Sequence, residues 1–329
     1  MIKAVIRSGA VKPARALLPG GLKRRLLDRF IYAPVMAAKG IGPGVTPLFD
    51  TVFFEVRTRC NGICPFCPAS VGRDPRPDLK MDKGLYLKVL EELQDLGFGG
   101  RIAFHSNTEP LVFKDLTEFV GLARERFPRS YLHILTNGKI LTLKKAEELF
   151  RAGLTDLTVN FYNDDLEAEL PGVFQEILNR LLPRLFRPEE IQVSGFGPGF
   201  DHPGGPRRYT IIRRLQNEVL DNRAGYAPNK ARPDKRPRGF CQYPFTQFIV
   251  TADGRVGQCC NDFTIDVPMG DVSRQGVLEV WEGEPFERLR QELLLGRREN
   301  HRLCEECDYF GVKRIPQGFT SRLVHLITR

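Results

Sequence analysis

The sequence predicts an α/β protein, a partial parallel (β/α)6 barrel followed by a small C-terminal extension of β-hairpin and helices. Three observations carry that expectation. From residue 49 onward, short apolar runs alternate with amphipathic helical stretches, the pattern of a parallel sheet joined by right-handed crossovers. The unusual polar residues fall just after the apolar runs, at the end of the strands where parallel barrels place their chemistry. Beyond residue 240 the alternation stops, and five of the eight cysteines gather around a hairpin signal and a C-x-x-C pair.

Each barrel element follows from its own residues. "TVFFEV" (51–56), "RIAFHS" (101–106), "YLHILT" (131–136), "LTDLTVNF" (154–161) and "EIQVSG" (190–195) are rich in β-branched and aromatic residues and read as strands. Between them, "KGLYLKVLEELQDLG", "FKDLTEFVGLARERF", "LTLKKAEELFRAG" and "LEAELPGVFQEILNRLLPRLF" repeat apolar residues at helical spacing. The polar loops that close the strands are the cysteine loop 59–68, "HSNTEP" (105–110), "TNG" (136–138), "NFYND" (160–164) and "SGFGPG" (194–199). No eight-unit repeat can be counted, so the barrel is expected to be partial.

Three segments result: a basic N-terminal arm (1–48), the barrel (49–220) and the extension (221–329). The arm holds nine basic residues against Asp28 alone, so eight of the chain's net charges of +9 belong to it and not to the body. Leu18, Leu22, Leu26 and Phe30 recur every four residues beside "KRR", which predicts a helix with an apolar stripe and a basic edge. The favoured reading packs this arm along the outside of the main domain, with peripheral membrane contact as the alternative. "GIGPGVTP" (40–47) then breaks the chain. No apolar run approaches the ~20 residues of a membrane span, and the first residues carry charge through what would be a signal peptide's apolar core. The expected location is the cytoplasm, where cysteines serve metals or catalysis more often than disulfides.

"RCNGICPFCP" (59–68) sets three cysteines within eight positions and supplies no fourth. Structural zinc takes four closed ligands. Three thiolates from Cys60, Cys64 and Cys67 can instead hold three irons of a cubane [4Fe-4S] cluster and leave the fourth iron open. The three-two spacing, with Phe66 directly before the last cysteine, resembles the radical S-adenosylmethionine superfamily, whose barrels are TIM-like. That resemblance implies that S-adenosylmethionine chelates the open iron and is cleaved reductively to a 5′-deoxyadenosyl radical, which abstracts a substrate hydrogen. It further implies cofactor contacts from Phe66 and Asn137, and from Glu109 in the place of the family's Gly-Gly-Glu acid, with Asn107 and Thr108 replacing the glycines. Asn160 would contact the ribose. The family's arginine after strand four has no counterpart before Arg180.

In the extension, "TQFIVTADGRVGQ" reads as two strands joined at Asp253-Gly254. A hairpin with Cys241 and Cys259 near its ends, closed by Cys304 and Cys307 of "CEEC", can place four sulfurs around one centre. This arrangement resembles the SPASM/twitch extension of the same superfamily and implies an auxiliary [4Fe-4S] cluster, two clusters in all, with Cys260 spare. The resemblance points to oxidation of a small polar, sugar- or aminocyclitol-like substrate, with the auxiliary cluster as electron acceptor and a flavodoxin or ferredoxin as electron donor. A peptide substrate, in a ribosomal-peptide maturase, is the alternative within the family. A zinc-stabilised nucleic-acid binder is the alternative of another class. Against it, the first triplet lacks a nearby histidine and the arm lacks interleaved aromatics. His105, Tyr162 and Cys260 are the catalytic candidates, and each reads as well as a satisfied structural group. Arg223 either lines the site or ties down the linker, and Trp281 and Phe286 at helical spacing are expected in the core.

Overall fold

The computed structural model describes residues 20–193, 207–231 and 239–312. The "SGFGPG" loop and Leu18 lie outside them. The chain enters through α1 (Gly20–Leu27), a π-helical turn (Asp28–Tyr32) and α2 (Ala33–Ala38). The wider π turn changes which side chains face inward. Ile31 and Tyr32 are buried, while Leu22 and Phe30 are exposed, so the four-residue stripe is not the docking face that its spacing suggested. Tyr32 packs beside Phe240 and Phe310 and donates its hydroxyl hydrogen to the Phe310 carbonyl at 3.2 Å. The arm therefore lies against the C-terminal extension.

The alternating part runs β1 (Thr51–Phe54), α3 (Lys83–Asp95), β2 (Arg101–Ala103), α4 (Leu116–Arg126), β3 (Tyr131–Thr136), α5 (Leu143–Arg151) and β4 (Asp156–Asn163). Then come α6 (Gly172–Glu176), α7 (Leu182–Leu185), β5 (Ile191–Val193) and β6 (Arg207–Leu215). Capping sets the helix starts: Asp82 accepts the N–H groups of Gly84 and Leu85, and Thr142 accepts that of Lys145. Tyr86, Val89, Leu90 and Leu93 form the buried stripe of α3. The Tyr86 ring stacks on Phe119 of α4 at 4.2 Å and its hydroxyl donates to the Phe119 carbonyl.

The extension supplies α8 (Tyr243–Thr246), β7 (Gln247–Val250), β8 (Arg255–Gly257), β9 (Gly270–Asp271), α9 (Val277–Trp281), α10 (Glu284–Leu294) and α11 (Arg302–Glu306). Gly254, at φ +90°, makes the predicted hairpin turn. All described strands share one sheet, in the order β5-β6-β4-β3-β2-β1-β7-β8-β9. The ladder is parallel from β5 to β7 and antiparallel through β8 and β9. Two features depart from the sequence reading. Strand β6, which the sequence reading did not anticipate, inserts between β4 and β5. Strand β7 pairs parallel with β1, Thr51 opposite Gln247 and Phe54 opposite Val250, so the hairpin continues the barrel sheet. Phe49 stacks on Phe248 at 4.7 Å and meets Trp281 edge-on at 5.0 Å, and both Trp281 and Phe286 are in the core.

A buried ion network ties the end of β1 to the loop that follows the cysteine triplet. Arg76, 8% exposed, pairs with Glu55 at 3.0 Å and Asp74 at 2.9 Å, and donates to the Phe263 carbonyl at 3.2 Å. Its guanidinium lies 4.1 Å above the Phe263 ring. Removing one partner of such a network leaves buried charge uncompensated, so Arg76→Met is expected to cost ~3–5 kcal/mol in chemical denaturation. A loss below ~1 kcal/mol, the scale of an exposed pair, would show that the carboxylates shed their charge instead.

Candidate active site

The loop after β1 is wound tightly by its own backbone. Cys67 N–H bonds the Cys64 carbonyl at 3.1 Å, Ser70 Oγ donates to the same carbonyl at 2.6 Å, and Val71 N–H reaches the Gly62 carbonyl at 2.8 Å. Gly62 N–H points at Cys60 Sγ, 3.3 Å away. A Cβ at Gly62 would stand 3.3 Å from Cys60 Sγ and 3.7 Å from Cys64 Sγ, so the turn is kept open by a glycine between two sulfurs. Burial pushes the Cys60 thiol up to about 11 and raises Cys64 as well, with neighbouring thiols adding to each. Soft donors this close, and reluctant to ionise alone, fit a metal-bearing group that takes thiolates.

Behind them sits Glu109, 2% exposed. Its carboxylate accepts from Leu111 N at 3.0 Å, Thr136 Oγ1 at 2.6 Å and Asn137 N at 2.7 Å. Burial raises its pKa, and these three donors oppose the rise. Glu109 thus joins the ends of β2 and β3 and fixes Asn137, whose side-chain amide donates to Asn61 Oδ1 at 2.8 Å and lies 3.9 Å from Cys60 Sγ. Gly138, at φ +70°, follows at once, and a Cβ there would strike Phe174 and Val159 at 2.7 Å.

The other predicted residues divide between site and scaffold. Phe66 is buried and its ring meets Tyr162 of β4 at 5.5 Å, joining the cysteine loop to the barrel mouth. Thr108 donates to the Arg57 carbonyl, a scaffold bond. Asn107 Nδ2 donates to the Asp262 carbonyl at 3.4 Å, and its Oδ1 accepts from Arg223 at 3.1 Å. Asn160 Oδ1 accepts from Arg214 of β6 at 3.1 Å, and Arg214 pairs with Glu218 at 2.7 Å. His105 Nδ1 accepts the Leu135 N–H at 3.1 Å, and its ring is wedged between Phe53 and His133. Below it, Tyr131 donates to Asp156 at 2.6 Å inside the barrel.

Two arginines stand at this mouth: Arg214, which escaped the sequence reading, and Arg223, which was expected either to line the site or to tie down the linker. Arg214 was hidden with its strand; β4 and β6 pair with Tyr162 opposite Arg214 and Asn160 opposite Ile212, so Arg214 reaches Asn160 diagonally, two positions along the neighbouring strand. Arg223 and Ala224 hold left-handed backbone angles, φ 45° and 54°, a strained pair for non-glycine residues. Fully buried Asn222 maintains it: its backbone N–H and side-chain oxygen exchange bonds with Asp308, and its amide donates to the Glu306 carbonyl at 2.6 Å. From this turn the Arg223 guanidinium reaches Asn107.

Cys241, Cys259, Cys304 and Cys307 are all buried together in the extension. Gln258 donates to Cys304 Sγ at 2.9 Å, and Tyr309 N–H to Cys307 Sγ at 3.3 Å. Burial, then neighbouring thiols, push Cys304 up to about 12; burial also lifts Cys307 to about 11 and raises Cys241 and Cys259. Cys260 turns the other way and packs on Phe53, Ala103 and Ile249 inside the barrel. Among the described residues, no three His, Cys, Asp or Glu side chains converge at single-ion range.

Comparison with known proteins agrees with this geometry. The model of the radical SAM superfamily matches residues 54–180, and that of SPASM, an iron–sulfur cluster-binding domain, matches residues 241–308. The chain is 29% identical over 266 residues to the S-adenosyl-L-methionine-dependent 2-deoxy-scyllo-inosamine dehydrogenase of Niallia circulans, across 81% of this chain and 95% of that protein. PqqA peptide cyclase of Granulibacter bethesdensis is 31% identical over 114 residues, 34% of this chain and 29% of that protein. The crystal structure of BtrN in complex with AdoMet and 2-DOIA superposes with a TM-score of 0.64 at 28% identity, covering 83% of this chain and 98% of that one. Both domain models match, in the order of the barrel and the extension, so the chain joins a radical S-adenosylmethionine superfamily domain to a C-terminal SPASM region.

Proposed function

We propose that this enzyme oxidises a hydroxyl-bearing carbon of a small aminocyclitol or amino-sugar. Cys60, Cys64 and Cys67 would hold the cluster that binds S-adenosylmethionine, and Cys241, Cys259, Cys304 and Cys307 the auxiliary cluster. The observation that carries the substrate class is the similarity to the inosamine dehydrogenase along nearly that enzyme's whole length. The peptide cyclase similarity stops at about a third of either chain, so a peptide substrate is the weaker reading. A flavodoxin or ferredoxin in the cytoplasm would donate electrons, and among the described residues no helix is long and apolar enough to cross a membrane.

When bound, S-adenosylmethionine supplies a radical that removes one hydrogen atom, and the auxiliary cluster supplies an acceptor for the remaining electron as the hydroxyl proton leaves. The chain's own groups hold the parts. Glu109 orders Asn137 beside the first cysteine set, and the Phe66–Tyr162 contact closes that side of the mouth. Arg214, Asn160, Arg223 and Asn107 present polar groups toward it from two sides.

Anaerobically reconstituted protein is expected to contain about eight irons per chain with matching sulfide, two four-iron clusters; stoichiometric zinc without sulfide would overturn the reading. With 2-deoxy-scyllo-inosamine as substrate, Cys304→Ala should still form 5′-deoxyadenosine but lose the ketone, whereas Cys260→Ala should keep most of both. Ketone formation by a stable Cys304→Ala protein lacking its auxiliary cluster would rule out that cluster as the acceptor. In Glu109→Gln, one acceptor oxygen becomes an amide facing N–H and O–H donors, so S-adenosylmethionine should bind more weakly by ~1.5–3 kcal/mol in equilibrium titration. Unchanged affinity would remove Glu109 from the site.

A further inference from the structure

Arg298 lies in a short turn (Arg298–Asn300) between α10 and α11 and is 2% exposed. Its Nε donates to the Gly239 carbonyl at 3.0 Å, Nη2 to that of Phe240 at 2.9 Å, and Nη1 to that of Tyr309 at 2.7 Å. Nη2 also reaches the Phe310 carbonyl at 3.4 Å. These carbonyls belong to the residues directly before Cys241 and just after Cys307, so one guanidinium is keyed between two cysteine-bearing segments. Gly311 leaves the space it fills: a Cβ there would come within 2.3 Å of Nη2.

Every one of those acceptors is neutral. Among the described residues no carboxylate forms an ion pair with Arg298, and the groups coupled to its charge are Cys241, Tyr32, Cys304 and Cys307. A buried cation without a counter-anion costs several kcal/mol. Arg76, the buried arginine near the first cysteine loop, has Glu55 and Asp74 as counter-charges. Among the described residues, Arg298 has in that place the four-cysteine site, which becomes anionic when its thiols ionise onto a cluster.

We propose that Arg298 is the built-in counter-charge of the auxiliary cluster and biases it toward accepting an electron. The proposal rests on the reading that Cys241, Cys259, Cys304 and Cys307 hold that cluster. Reduction adds negative charge, so a fixed cation nearby stabilises the reduced form more than the oxidised one and raises the potential. The guanidinium acts through space and through the carbonyls it pins, touching neither substrate nor cofactor, and is a positioning and tuning residue.

The test uses full-length protein with Cys60, Cys64 and Cys67 all replaced by Ala, so that any remaining cluster is the auxiliary one. Iron and sulfide are counted in this background and in its Arg298→Lys and Arg298→Met forms, and each midpoint potential is read by redox titration followed by electron paramagnetic resonance. The Met form is expected to retain its iron and shift to a more negative potential, with the Lys form between. Iron uptake by the Lys form alone would equally support the need for positive charge. An unshifted potential in an iron-loaded Met form would overturn the proposal, as would loss of iron from both forms, which would leave only carbonyl pinning. Absence of iron from the parent background would instead refute the cluster assignment beneath it.

Discussion

The parallel pairing of β7 with β1 is the constraint on which the relation between the two cysteine sets depends. It continues past the strands, with Glu55 N–H bonded to the Val250 carbonyl at 2.8 Å. Because β7 is a barrel neighbour and not part of a separate lobe, the hairpin it begins must fold back along the barrel. Strand β8 returns antiparallel, and the segment after it brings Cys260 onto the barrel's inner face and the Asp262 carbonyl to Asn107. Arg76 then fastens this segment, through the Phe263 carbonyl, to the carboxylates of Glu55, just after β1, and of Asp74 in the loop after Cys67. Motion of one cysteine set relative to the other would have to break a sheet ladder or expose buried charge.

The same logic explains the cost the fold accepts at the mouth. Glu109 is a buried carboxylate whose three donors are all from its own chain, a satisfied group that can hold a neighbour rigidly. The left-handed pair Arg223-Ala224 is sustained by the Asn222–Asp308 exchange, which anchors the linker to the segment bearing Cys304 and Cys307. Strain at the mouth is thereby offset by bonding in the extension.

What the sequence revealed and what it hid have physical causes. "YLHILT" matches β3 residue for residue, and the hairpin turn at Gly254 was visible, because both signals are local. So was the cysteine triplet, whose spacing is itself the chemistry. Strand β6 was missed because "RRYTIIRRL" carries arginines at both ends, and their acceptance into the sheet depends on Asp156 and Asn160, distant in sequence. The arm's buried face was misread because a π turn shifts the helical phase between Leu26 and Tyr32, which no periodicity of period 3.6 anticipates. Arg223 and Arg298 take their meaning from contacts with Asn107 and with residues 239–240 and 309–310, which only the tertiary structure brings together.

The claim that joins these observations is that one hydrogen atom leaves a hydroxyl-bearing carbon of a small aminocyclitol while one electron stays with the protein. Turnover of 2-deoxy-scyllo-inosamine carrying deuterium at each hydroxyl-bearing carbon in turn, with mass analysis of both products, tests it most directly. The account predicts one deuterium in 5′-deoxyadenosine, from a single carbon, with ketone formed in equal amount. Unlabelled 5′-deoxyadenosine from every isotopomer, or labelled 5′-deoxyadenosine without ketone, would contradict it.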